Sequence, residues 1–184
     1  MDFDGNLIGM NFYHRKGTPF LPSFIVLKCL KHFKDFRKVI RPFHGLRVKN
    51  LYDAELTSLE QKVQFGLPEV YGVIVDKVED SSVEHSEIKV GDVITHVNGV
   101  PFSNAAELGG ILLDQCRKHM LGRQKLNLSE DCNQMATVMS LKFRARLFKG
   151  CKSVVTTQTI DVDKFTPSSS GLNRWPLPSP TLPE

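Results

Sequence analysis

The sequence predicts an α+β fold, rich in β structure, with two to three helices. Three observations predict it. Residues 45–49, 71–78, 93–97 and 141–147 either alternate apolar with polar side chains or are dense in β-branched ones, as strands are. Residues 23–38 and 104–116 instead repeat apolar side chains every three or four positions, the period of an amphipathic helix. Asn98-Gly99 directly follows the 93–97 run and fits a type I′ hairpin turn, in which both central residues need positive φ.

Residues 5–13 follow an Asp4-Gly5 turn and read as one strand of a hairpin. Ser23 is placed to cap a helix running to about Lys38, with Val26, Cys29, Leu30, Phe33 and Phe36 as its buried stripe. Lys28, Lys31 and Lys34 fall off that stripe and are expected in solvent. After Pro42, Gly45-Leu46-Arg47-Val48-Lys49 reads as a half-buried strand with Leu46 and Val48 inward. A short helix is expected over 53–64, a strand over 71–78, a helical turn over 81–85, and a Gly91-Asp92 turn before strand 93–97. Asn104 can cap the next helix with Glu107 reaching back, and Ala105, Leu108, Leu112 and Cys116 form its apolar stripe. Residues 117–136 are polar and irregular and read as an inserted loop. Leu141, Phe143, Ala145 and Leu147 alternate with Lys142, Arg144 and Arg146, a strand, and a last strand is expected over 153–161. Residues 164–184 are rich in proline and serine and read as a disordered tail. Pro180-Thr181-Leu182-Pro183 fits P-x-x-P, too short a match to count for more than the tail.

Composition narrows the function classes. Hydrophobic residues at 41% and charged residues at 24% are ordinary for a globular chain. No apolar run approaches the roughly 20 residues that span a bilayer, and the acidic start Met1-Asp2-Phe3-Asp4 lacks a signal sequence's apolar segment. No membrane is therefore expected as a partner. Cys29, Cys116, Cys132 and Cys151 are too scattered for a zinc or redox site, so no metal or cofactor is expected, and free thiols favour a reducing, intracellular compartment. Net charge is +4, with Lys28, Lys31, Lys34, Arg37, Lys38, Arg41, Arg47 and Lys49 in one stretch opposed only by Asp35. That stretch is either an anion-binding patch or the solvated face of one helix. Without base-stacking aromatics or zinc-finger spacing, the solvated face is preferred and no nucleic acid is expected.

The segment Ile88-Lys89-Val90-Gly91-Asp92-Val93-Ile94-Thr95-His96-Val97-Asn98-Gly99-Val100-Pro101-Phe102 resembles the core signature of PDZ domains, in the permuted order found in Do-like (HtrA/Deg) serine proteases. Gly45-Leu46-Arg47-Val48 is similar to that family's carboxylate-binding loop and first groove strand. Asp4-Gly5-Asn6-Leu7-Ile8-Gly9-Met10 resembles the strand after the catalytic serine, and Phe20-Leu21-Pro22-Ser23 with its helix resembles the exit from the protease barrel. The resemblance implies three parts. Residues 1–40 would be a strand pair and helix left from a trypsin-like β-barrel, 41–163 a PDZ-like partly open barrel or sandwich, and 164–184 a tail.

The implied activity is binding of extended C-terminal peptide segments by strand addition, with Gly45, Leu46, Arg47, Val48, Ala105, Leu108 and Leu112 as the peptide-binding residues. Amides of Leu46 and Arg47 would take the terminal carboxylate; Leu108 is equally well a pure core residue. No catalytic residue is expected, because the family's Gly-Asn-Ser-Gly-Gly motif would lie just before Asp4 and is not in the sequence. The exposed remnant of residues 1–40 would pack on the PDZ-like unit or seek a partner such as an intact Do-like protease subunit. Two departures stand out: Glu87 where the family often has a glycine ending a turn, and Arg47 where glycine is frequent in the loop. The alternatives are a fragment of an active Do-like endopeptidase whose catalytic part lies upstream, and a basic anion-binding protein using residues 28–49.

Overall fold

The alternating run through Leu141, Phe143, Ala145 and Leu147 builds one arm of the longest hairpin in the fold. β8 (Met139–Lys149) pairs antiparallel along its whole length with β9 (Lys152–Val162), burying those four side chains on one face. The computed structural model describes residues 2–11, 20–53, 60, 71–79, 87–125, 138–149, 152–162 and 165–166. The other strands are β1 (Gly9–Asn11), β2 (Phe20–Pro22), β3 (Arg41–Pro42), β4 (Leu46–Asn50), β5 (Val73–Val78), β6 (Val93–Val97), β7 (Val100–Pro101) and β10 (Phe165–Thr166). The helices are α1 (Ser23–Phe36) and α2 (Ala105–Lys125), with a 3-10 turn at Leu51–Asp53.

The main sheet has the order β4-β5-β6-β8-β9, with β7 folded back on β6, and every pairing is antiparallel. One face carries the core of Leu46, Val73, Val75, Ile94, Val97, Phe143 and Ile160, closed over by Leu108 and Leu112 of α2. On the opposite face Leu51, Ile74 and Val93 form a smaller cluster with Phe148 against it. The α+β, β-rich class thus agrees with the sequence, and the Asn98-Gly99 turn has φ of 50° and 79°. Asn98 does more than turn the chain. Its N–H donates to the Lys142 carbonyl (2.7 Å) and its Oδ1 accepts from the Lys142 N–H (2.8 Å), fixing the turn to β8.

Several expectations need correction. The 5–13 strand is only Gly9–Asn11 in the described part, paired with Phe20–Pro22; the chain before it is a loop closed by Asp2 Oδ1, which accepts from the Asp4 and Asn6 amides. Ser23 is not the cap of α1. Pro22 holds that position, and the Ser23 N–H donates to the Ile8 carbonyl (2.9 Å).

Nor is the predicted stripe the buried face of α1. Leu30 and Phe33 are exposed, while Ile25 and His32 are buried. The helix is apolar on two sides, and α2 selects the side that carries Ile25, Lys28, His32 and Asp35. There His32 Nε2–H donates to the Leu113 carbonyl (2.8 Å), Lys28 pairs with Asp114, and Arg117 Nε donates to Asp35 Oδ2 (2.6 Å). Gly110 permits the approach: a Cβ there would lie 3.0 Å from Phe24 and 3.2 Å from Ile25. So Lys28 is engaged rather than solvated.

Residues 117–125, read as the start of an inserted loop, are the last turns of α2, and Arg117 among them pairs across to Asp35 of α1. The rest of that loop is outside the described residues, as are the 81–85 turn and most of the 53–64 helix. Phe165 and Thr166, assigned to the tail, pair with Pro42 and Arg41. Among the described residues no helix is long and apolar enough to cross a membrane, which says nothing of a β-barrel.

Candidate functional site

β4 lies at one end of the sheet and pairs only with β5 among the described residues. An end strand leaves one row of backbone N–H and C=O groups without a ladder partner, the feature an added strand requires. α2 flanks the core beside it, and a side-chain bond joins the two: the Ala105 N–H at the start of α2 donates to Asn50 Oδ1 (2.8 Å) at the end of β4. Asn104 caps the helix as expected, its Oδ1 accepting from the Glu107 N–H (2.9 Å), and Glu107 Oε2 accepts in return from Ser103 N–H (2.7 Å). The helix start is therefore fixed relative to the strand by a closed set of hydrogen bonds.

Five of the seven expected site residues lie in the main core or at its margin, in two layers. Leu46, Leu108 and Leu112 are buried in the main core, which places Leu108 with the core. Val48 and Ala105 are half-buried at the margin of that core, joined by Ile111, which the sequence reading did not single out. Gly45 is buried with φ of 68°, a left-handed conformation that suits glycine, and its carbonyl accepts from the Glu79 N–H (2.8 Å).

Arg47 points away from the core. Its Nε lies 3.6 Å from Asp76 Oδ2 on β5, and Lys49 Nζ is 2.5 Å from Asp76 Oδ1. Alternation along the strand explains this: Leu46 and Val48 face in, so Arg47 and Lys49 face out. The ladder shifts register between Arg47 and Val48, which face Lys77 and Val75, so the bulged residue is Asp76 of β5.

His44, two residues before the strand, is the feature the sequence reading missed. It is buried against Phe143, with ring centroids 5.7 Å apart, and its Nδ1 accepts from the Leu46 N–H (3.3 Å). Burial pulls its pKa from 6.5 to about 4, so the ring is neutral at pH 7. A histidine at an inward position within the loop Pro42-Phe43-His44-Gly45 was the available signal.

Residues 35–111 match the sequence profile of the PDZ domain family. That stretch, which contains β4 and the start of α2, is similar to PDZ domains. Over 107 residues it is 32% identical to putative protease Do-like 14 of Arabidopsis thaliana, a match covering 55% of this chain and 25% of that protein. The chain thus spans about a quarter of the length of this curated relative. Among solved structures, the HtrA-type protease AlgW with a tripeptide is 21% identical, with a TM-score of 0.45 over 91% of this chain and 48% of that one. The HtrA3 PDZ domain bound to a phage-derived ligand is 19% identical, with a TM-score of 0.32 over 74% of this chain and 96% of that one. The chain is thus similar to part of a Do-like protease, and its residues 35–111 to PDZ domains.

Of the two departures within the PDZ-matched stretch, Arg47 is accommodated on the outward side of β4. The strain expected at Glu87 turns on residues 86 and 87 together, and residue 86 lies outside the described residues. The histidines nearby have structural engagements: His32 with Leu113, His44 with Leu46, and His96 Nδ1 with the Thr95 hydroxyl (2.9 Å). Burial raises the Cys116 thiol to about 12, which makes it inert as a nucleophile. Among the described residues no cluster of His, Cys, Asp or Glu suits a metal ion.

Proposed function

We propose that these residues form a peptide-binding module, with no proteolytic centre of their own, that holds an extended segment of another protein as an added strand on β4. The observation that carries this is the placement of β4, an end strand within the PDZ match and tied to the start of α2. Backbone hydrogen bonds from β4 would supply affinity, and the margin formed by Val48, Ala105 and Ile111 would receive alternate ligand side chains. The lack of a Gly-Asn-Ser-Gly-Gly motif and the structural engagement of His32, His44 and His96 support binding without hydrolysis. Because the chain matches only a quarter of its curated relative, a longer product with a catalytic part upstream is the second reading.

Fluorescence titration of the purified chain with a library of extended peptides tests the proposal, using copies N-methylated at alternate residues as controls. Binding at about micromolar Kd is expected, weakened tenfold or more by methylation in one alternate register and little in the other. The bound peptide is expected to be recovered uncut. Equal tolerance of methylation in both registers would rule out strand addition.

A further inference from the structure

We propose that His44 sets the end-group selectivity of the groove, by occupying the amide to which a terminal carboxylate would bind, so that the site takes continuing or amidated segments as readily as free C-termini. This rests on the strand-addition reading of β4. It starts from a count of hydrogens. The Leu46 N–H, at the point where the loop enters β4, has one hydrogen and donates it to His44 Nδ1. An Nδ1 that accepts carries no hydrogen, so the neutral ring holds its proton on Nε2.

A carboxylate oxygen approaching the Leu46 amide meets that arrangement as a second acceptor on a single donor. If the carboxylate captures the hydrogen, the Nδ1 lone pair is left buried without a donor, because His44 is only 4% exposed. The lone pair and the anion would then face each other across a short gap, a repulsion that water cannot screen in a buried loop. Protonating the ring would relieve the conflict, but burial opposes it at neutral pH. A segment that continues past the groove, or ends in a neutral amide, brings no charge to this point and makes its ladder bonds further along Val48 to Asn50 unhindered. The geometry thus separates two parts of recognition: the strand edge provides binding, and His44 removes the premium on a free C-terminus.

The test uses the full chain at pH 7.5 and one binding sequence in three forms: free acid, C-terminal amide, and an internal version extended by four further residues. For the wild type the three affinities are expected to agree within about threefold, and His44→Leu, which frees the amide, is expected to favour the free acid by about tenfold. His44→Asn keeps a short side-chain acceptor two residues before the amide and is expected to retain the wild-type ratio. Thermal melts of both variants show whether they fold. A wild-type preference for the free acid of about tenfold, or a ratio unmoved in folded His44→Leu, would overturn the inference while leaving strand addition intact. Failure of all three forms to bind the wild type would instead remove the strand-addition reading, and this inference with it.

Discussion

Acidification from pH 7 to pH 5 is expected to lower the stability of the fold by about 2 kcal/mol through His44 alone. Burial depresses this imidazole from 6.5 to about 4 in the native state, so between those values the unfolded chain binds a proton that the folded chain does not. The stability associated with the neutral ring is present above 6.5 and is lost as pH falls toward 4. His32 is depressed in the same direction, first by burial and then by Arg117, against the opposing effect of its bond to Leu113. His96 also lies low, through partial burial and then Arg144, but is too exposed to add much. Urea unfolding of wild type and His44→Leu at both pH values isolates the effect. The wild type is expected to lose about 2 kcal/mol more than the variant on acidification, and equal losses would show that His44 is not the buried neutral group described.

Replacing Asp92 with alanine is expected to cost about 3 kcal/mol, the larger of the two effects. Its carboxylate accepts from two backbone amides at once: Oδ2 from Lys89 N–H (2.7 Å) and Oδ1 from Phe148 N–H (2.9 Å). One bond closes the turn before β6 and the other fastens that turn to the far end of β8. Around them, the Val75 N–H donates to the Asp92 carbonyl (2.9 Å) and the Gly91 N–H to the Val75 carbonyl (2.8 Å), so three strands meet at this residue. Gly91, at φ of 92°, supplies the backbone conformation that brings the carboxylate into place. Asp92→Asn is expected to rescue little, because its amide nitrogen would face one of two donors. Chemical denaturation measures both variants; a loss below about 1 kcal/mol for Asp92→Ala would mean that water replaces the carboxylate at these amides.

This Gly-Asp pair and the Asn-Gly turn were legible because their chemistry is local: both need particular backbone angles and side-chain acceptors within a few residues. The capping pair Asn104 and Glu107 was legible for the same reason. The packed face of α1 was not. Its sequence offers two apolar sides, and the choice between them depends on Gly110, Asp114 and Arg117, some eighty residues away. The same distance hid the last turns of α2, whose polar side chains look like loop until Asp35 is placed opposite Arg117. Within the groove, alternation correctly separated inward Leu46 and Val48 from outward Arg47. It was silent on depth, so it did not show that Leu46 and Leu112 sit below the groove margin while Ile111 sits on it. The acceptor role of His44 was within reach of the sequence, as a polar ring two residues before an amide in an otherwise apolar loop.

Among the described residues the sheet also ends at β9, where Val154 and Val155 are exposed, so β9 is the competing edge for an added strand. Hydrogen exchange read by mass spectrometry, with and without a saturating extended peptide, distinguishes the two edges most directly. Slowed exchange is expected across residues 45–50, with 152–162 unchanged. Protection confined to 152–162, or none at 45–50, would contradict strand addition on β4.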